Sequence, residues 1–230
     1  MGKLTNKVAL VTGAGSGLGR GIALTFAQEG ATVVLNGRRE EKLREVEEEI
    51  GKTEGKAIVI PADFTNETEV KKVREKLDEE TGGKLDIFVA NAGGVNAMGK
   101  ATDMTVEQWQ SMFDLNATTQ FLSAKYFLPI LRESDHGKFI SVTSGMVNFY
   151  MEGMSAYSAM KAAAEMFIRT VAVEEKDTGV QVNMYDPLNA KSEGNPDGAH
   201  EPMDIVDVLV DLAAADTVEK HGEIIKPNVE

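Results

Sequence analysis

The chain has 230 residues, 42% of them hydrophobic and 27% charged, with a formal net charge of −13 and no cysteine. That length favours one domain, 1–230, able to bury about 70% of the surface its unfolded form exposes, so no staple is required. Without cysteine there is no disulfide, thiol nucleophile or thiolate-bound metal, and the acidic balance disfavours nucleic acid as a partner.

Met1 to Leu10 carries neither a signal-peptide core nor a myristoylation match, because Asn6 stands where Ser or Thr would be required. With no long apolar run either, the expected location is the cytoplasm, without membrane contact. The Asn-x-Thr sequences at Asn66 and Asn116 then read as chance matches. His136, His200 and His221 lie in polar stretches without ligand spacing, so they read as solvated surface groups and no metal site is expected.

Lys7 to Val11 reads as a first strand, followed by Thr12-Gly13-Ala14-Gly15-Ser16-Gly17-Leu18-Gly19 and a helical run, Arg20 to Glu29. Glycines suit a tight turn that a diphosphate must approach closely, and the helix N-terminus supplies unpaired N–H groups and partial positive charge. Gly13, Ser16, Gly17, Leu18 and Gly19 are the candidate contacts. The spacing is Thr-Gly-x-x-x-Gly-x-Gly, and a plain turn is the alternative reading.

Ala31 to Asn36 is the second strand, ending about twenty residues after the glycine turn, where an adenosine ribose should arrive. There the chain reads Asn36-Gly37-Arg38-Arg39, with no acid to repel a 2′-phosphate and two guanidiniums to bind one, which favours NADP over NAD. The alternative is that Arg38 and Arg39 balance the acidic helix Glu40 to Ile50.

Lys56 to Pro61 is a third strand, closed by Asp63-Phe64-Thr65, in which Asp63 caps a turn or contacts adenine. A charged helix, Glu67 to Glu80, leads to the fourth strand, Leu85 to Ala90, and a second glycine-bearing turn, Asn91-Ala92-Gly93-Gly94. This alternation predicts an α/β fold: a doubly wound parallel sheet, Rossmann-like, with about seven strands, helices on both faces and the cofactor at the carboxyl edge.

Thr105-x-x-Gln108 is a capping box opening a long helix to about Arg132, with Trp109, Phe113, Leu115, Phe121, Leu122, Phe127 and Leu128 as core positions. Asn116 interrupts that pattern, and a polar amide there requires a partner, structural or catalytic. Lys138 to Thr143 is a buried strand that presents Ser144 at the carboxyl edge. In the following helix, Ser155 to Val173 with Ser155 available as N-cap, Tyr157 and Lys161 share one face. Free tyrosine is a poor base at neutral pH, but a cation roughly 5 Å away at an effective dielectric near 20 stabilises the phenolate by about 3 kcal/mol. Alone, such a pair would mean only an amphipathic surface helix; a cofactor brought to the same edge makes it a proton-exchanging group. Val180 to Tyr185 is a sixth strand, stopping at Asp186-Pro187, and Glu223 to Ile225 is the last.

These residues together resemble the short-chain dehydrogenase/reductases, from Lys7 to about Ser192 and again, loosely, from Pro202 to Ile225. The pattern elements stand in order: Thr12 to Gly19, Asp63, Asn91-Ala92-Gly93, Asn116, Ser144 and Tyr157-x-x-x-Lys161. The resemblance implies Tyr157 as general acid/base, Lys161 as the group that supports it and holds the nicotinamide ribose, and Ser144 as hydrogen-bond partner of the substrate carbonyl. It also implies Asn116 in a proton relay through water, and Arg38, Arg39, Asp63, Phe64, Asn91, Ala92, Gly93 and Pro187 among the cofactor contacts.

The chain departs from the family pattern at Ala90 and at Leu188, where Asn and Gly are usual, and Ser192 stands for a cofactor-contacting Thr. Only Leu188 to Pro202 occupies the place of a longer helical flap, and Ser192 to His200 reads as a loop, leaving the cleft open or closed by another subunit. The expected activity is interconversion of a ketone or aldehyde with an alcohol by hydride transfer with NADP(H), in the reducing direction for NADPH. A catalytically silent NADP-binding sensor or partner module is the rival, motivated by the short flap. Pairing into a homodimer or homotetramer through the helices carrying Asn116 and Tyr157 is implied by the resemblance.

Overall fold

The computed structural model describes residues 2–215 and 220–229. Seven strands, β1 (Val8–Thr12), β2 (Thr32–Gly37), β3 (Lys56–Pro61), β4 (Ile87–Ala90), β5 (Lys138–Val142), β6 (Gln181–Tyr185) and β7 (Ile224–Ile225), form one sheet. Its order is β3-β2-β1-β4-β5-β6-β7 and every pairing is parallel, so the fold is the expected Rossmann-like α/β arrangement. The order turns back between β1 and β4, and a crevice opens there at the carboxyl ends, beside the two glycine-bearing turns.

Strands in such a sheet read as unbroken apolar runs because both faces are covered. Along β1, Ala9 and Val11 point into one core with Ile22 and Phe26 of helix α1 (Gly17–Gln28), Leu43 and Val46 of α2 (Glu40–Gly51) and, through the same cluster, Leu209 of a C-terminal helix, Asp207–Ala214. Val8 and Leu10 point into the other, which holds Val70 and Leu77 of α3 (Glu67–Thr81), Phe127 of the helix Thr119–Leu131 and Ile168 of the helix Ser155–Glu174. Phe88 and Phe139, register partners on β4 and β5, stack with centroids 5.4 Å apart, and Phe127 lies 4.6 Å from Phe88.

The long helix opens with both halves of its capping box formed between Thr105 and Gln108. It is not continuous: α4 (Val106–Phe113) passes through a π turn, Asp114–Thr118, into α5 (Thr119–Leu131). An inserted residue rotates the apolar stripe, so one face no longer serves both halves. Leu122, Phe127 and Leu128 are core, as expected, whereas Trp109, Phe113 and Phe121 are 44%, 40% and 48% exposed. Leu115 is half-buried.

Two further expectations are corrected in the helix Ser155–Glu174, α6, whose N-cap is Met154, without a side-chain bond; Ser155 is its first residue. His221 is half-buried and bonded rather than a free surface group: its Nδ1 accepts from Val182 N at 3.4 Å, and its Nε2 donates to Ala172 O at 2.6 Å, tying α6 to β6. A C-terminal helix, α7 (Asp207–Ala214), packs beside α1.

The short segment after β6 is a compact strap. Ser192 and Asn195 exchange backbone hydrogen bonds of 3.1 Å, Lys191 N donates to His200 O at 2.8 Å, and Asn195 Nδ2 donates to Ala190 O at 2.9 Å. A Cβ on Gly198 would stand 2.6 Å from the Ala190 carbonyl, so the crossing needs glycine. Among the described residues no helix is long and apolar enough to cross a membrane, and no group of three His, Cys, Asp or Glu could hold a metal ion.

Candidate active site

The glycine turn is held to β2 and to the loop after β4 before anything binds. Ala14 N donates to Asn36 O at 2.8 Å, Asn91 Nδ2 donates to Thr12 O at 2.9 Å, and the Thr12 hydroxyl oxygen accepts from Asn91 N and Ala92 N, both at 2.9 Å. Gly13 sits at φ +67° and Gly17 at φ +51°, where a side chain is strained. A Cβ on Gly19 would stand 2.2 Å from Gly13 O and 2.5 Å from Asn91 Nδ2, so two backbones and the Asn91 side-chain amide meet with no room for another side chain. Ser16 is extended and makes no side-chain cap to α1, which leaves the helix's first amides to an anion, while Leu18 is buried in the core.

At the adenosine end, Asn36 is buried and donates to Ile60 O at 2.9 Å, a sheet contact. Arg38, just beyond β2, lines a cavity of about 650 Å³ with Asp63, Thr65, Gln110 and Leu115. Arg39 turns the other way, donating to Ser16 Oγ at 3.3 Å and to both Glu193 oxygens at 3.0 and 2.8 Å. Asp63 accepts from Thr65 N and Thr65 Oγ1 at 2.9 and 2.8 Å, so it caps a turn at the cavity wall. The Phe64 ring is buried, 5.9 Å from that of Phe127, and is unavailable to a cofactor. Nothing in the sequence singles out Glu193, whereas Ser192, which stands for a cofactor-contacting Thr, does reach the turn: its Cβ lies 3.3 Å from where a Cβ on Gly17 would be.

At the chemical end, Asn116 is fully buried and its amide is spent on backbone: Oδ1 accepts from Gly94 N at 2.9 Å, and Nδ2 donates to Gly94 O at 2.9 Å and Met112 O at 3.1 Å. The π turn is what aims this side chain at the loop after β4. A Cβ on Gly93 would stand 3.0 Å from Asn116 Oδ1 and 3.6 Å from Lys161 Nζ. Asn116, Gly93 and Lys161 therefore meet, two residues along the chain from the Asn91 that fills the glycine turn. Lys161 is buried, donates to Val142 O at 2.9 Å and holds its charge 5.9 Å from the Tyr157 ring centroid. Tyr157 is half-buried against Met112, Ala156, Met160, Val95, Ala97 and Met104.

Ser144 caps a short turn, Gly145–Val147, by accepting from Met146 N at 3.2 Å, which leaves its own proton to donate outward. The adjacent Thr143 donates to Glu165 Oε2 at 2.7 Å, fastening β5 to α6; that pair also went unseen in the sequence. Pro187, half-buried, follows Asp186, whose carboxylate lies 3.8 Å from a Cβ position on Gly145 and so brings the β6 end beside the Ser144 turn. The cradle closed to any Cβ, the uncapped helix start and Arg38 at the cavity wall fit a nicotinamide dinucleotide.

A sequence model of the short chain dehydrogenase family matches residues 7–220. An uncharacterized oxidoreductase of Staphylococcus aureus (strain USA300) is 39% identical over 184 residues, 80% of this chain and 78% of its own. The crystal structure of a short-chain dehydrogenase/reductase from Mycobacterium marinum superposes with a TM-score of 0.89 at 29% identity, covering 96% of this chain and 94% of that one. One from Shigella flexneri 2a, complexed with NADP, gives 0.89 at 27% identity over 96% of each chain. With nearly its whole length matched by the family and its site built on that fold, the chain belongs to the short-chain dehydrogenases, a family of oxidoreductases.

Proposed function

We propose that the chain is an NADP(H)-dependent reductase interconverting a ketone or aldehyde with an alcohol, with Tyr157 as its general acid/base. The observation that carries this is the meeting of Asn116, Gly93 and buried Lys161 beside Tyr157, two residues along the chain from the asparagine that touches the glycine turn. When bound, the reduced nicotinamide supplies the hydride. Gly13, Gly17, Leu18 and Gly19 with Ser16 would hold the diphosphate, Arg38 and Arg39 the 2′-phosphate, and Asn91, Ala92, Gly93, Lys161 and Pro187 the nicotinamide half. Asp63 and the Phe64 main chain would bound the adenine.

In the reducing direction Tyr157 gives its proton to the carbonyl oxygen as hydride reaches the carbon, and the resulting phenolate is stabilised by the Lys161 charge. The Ser144 hydroxyl, aligned by Met146 N, donates to the same oxygen. Asn116 acts as a positioning residue, since its amide is already committed to Gly94 and Met112. The NADP complex of the Shigella relative supports the cofactor assignment, as does the absence of an acid between Asn36 and Arg39. Arg38→Ala tests it: NADPH affinity should fall by about 10- to 100-fold, the worth of a charge-assisted contact, with NADH affinity within about twofold. An unchanged ratio of the two dissociation constants would point to NAD.

We also propose that the chain pairs with a second copy through α4, α5 and α6. Val106, Trp109, Phe113 and Phe121 on the first two, with Met166 and Val173 on the third, are exposed. Large apolar side chains left exposed on three neighbouring helices suit a partner's surface better than water. Sedimentation at micromolar concentration should give two or four times the 24.9 kDa chain mass; a monomer excludes this assembly.

A further inference from the structure

Arg39 is one of two guanidiniums at the ribose end of the site, yet it is already engaged by a carboxylate from a segment far along the chain. Both Glu193 oxygens lie within 3.0 Å of Arg39 Nη2, and the same nitrogen donates to Ser16 Oγ at 3.3 Å. Ser16 opens α1 and Glu193 rides on the strap, so the three residues close a ring across the mouth of the glycine turn. The strap is fixed in that place. Lys191 is ion-paired with Glu201, Ser192 abuts Gly17, and Pro202 stands 3.0 Å from a Cβ position on Gly21 of α1.

We infer that Glu193 is a specificity-determining residue that competes with the 2′-phosphate of NADP for Arg39, and so supplies from the strap the acid that an NAD-selective site carries at the end of its second strand. The proposal rests on the NADP reading given above and refines it: Arg38 faces the open cavity and is available to a phosphate, while Arg39 is available only once Glu193 lets go. A 2′-phosphate brings two negative charges toward a carboxylate that has just lost its partner. A 2′-hydroxyl brings none and leaves the Arg39–Glu193 pair in place. Both partners are about half exposed, so the competition is modest in size.

The test measures binding by calorimetry with NADPH, NADH and adenosine 2′,5′-bisphosphate, on wild type, Glu193→Gln, Arg39→Ala and the double variant. Glu193→Gln should bind NADPH and the bisphosphate about fivefold tighter, the worth of an exposed ion pair, with NADH within about twofold. In the Arg39→Ala background the same substitution should tighten NADPH binding by less than it does in wild type, since only the repulsion between carboxylate and phosphate is then removed. Unchanged NADPH binding in Glu193→Gln overturns the proposal while leaving the NADP reading intact. Equal weakening of both cofactors also overturns it, by making Glu193 a clasp that holds the strap over any dinucleotide. If wild type binds neither NADPH nor the bisphosphate, the cofactor reading fails and this proposal with it.

Discussion

Tyr157→Phe should lower carbonyl-dependent NADPH oxidation by roughly 10² to 10⁴-fold, the usual worth of a positioned acid, while NADPH affinity stays within about twofold. The substitution deletes one oxygen and keeps the ring, whose apolar contacts with Met112, Ala156, Met160 and Val95 hold the start of α6 in place. Lys161 is anchored on Val142 O rather than on the phenol, so it should stay where it is. Loss of rate with unchanged cofactor binding therefore isolates the proton transfer. The measurement is single-turnover NADPH absorbance with a panel of ketones and aldehydes, beside a binding isotherm for each protein. Wild type that binds NADPH yet reduces no member of a broad panel would make the chain a cofactor-binding sensor. A Tyr157→Phe variant as fast as wild type would remove the phenol from the mechanism.

The sheet was legible because its strands are buried on both faces: runs such as VALV and IFVA carry no alternation to confuse with an exposed strand. The glycine turn was legible for a different reason, since few folds require three glycines within seven residues between a strand and a helix. Trp109, Phe113 and Phe121 were misread because periodicity reports that a helical position is apolar and says nothing of whether another element covers it. The π turn at Asp114–Thr118 adds one residue to a helix, a change visible only in the polar interruption at Asn116. Arg39 could be placed at the ribose end by counting from the turn, but its partner lies 154 residues away in a segment without periodicity. The one available signal was an acid in a polar strap following the sixth strand. Long-range polar pairs of this kind are set by where a loop closes, and loop closure leaves little trace in local sequence.

Gly19→Ala should cost about 3 kcal/mol of stability and on the order of 10²-fold in kcat/KM, a large effect for one methyl group. The added carbon would fall 2.2 Å from Gly13 O, 2.8 Å from Gly13 C and 2.5 Å from Asn91 Nδ2. Two of those atoms are backbone of Gly13, between the end of β1 and an Ala14 N bonded to Asn36 O, and the third is an amide already bonded to Thr12 O, so none is a flexible tip that could swing aside. The start of α1 must instead move away from the turn, spoiling at once the packing of Leu18 and Ile22 and the amides offered to the diphosphate. Gly51→Ala is the matched control. It lies in the last turn of α2 with nothing within 4 Å of its Cβ position, so the same methyl there should stabilise by about 0.5 kcal/mol through helix propensity alone. Urea unfolding of both variants reads the difference, with a shifted midpoint and unchanged slope marking a native-state effect. If Gly19→Ala unfolds at the wild-type midpoint and binds NADPH normally, the turn is looser than its backbone contacts require, and it is no longer the place where a diphosphate is held.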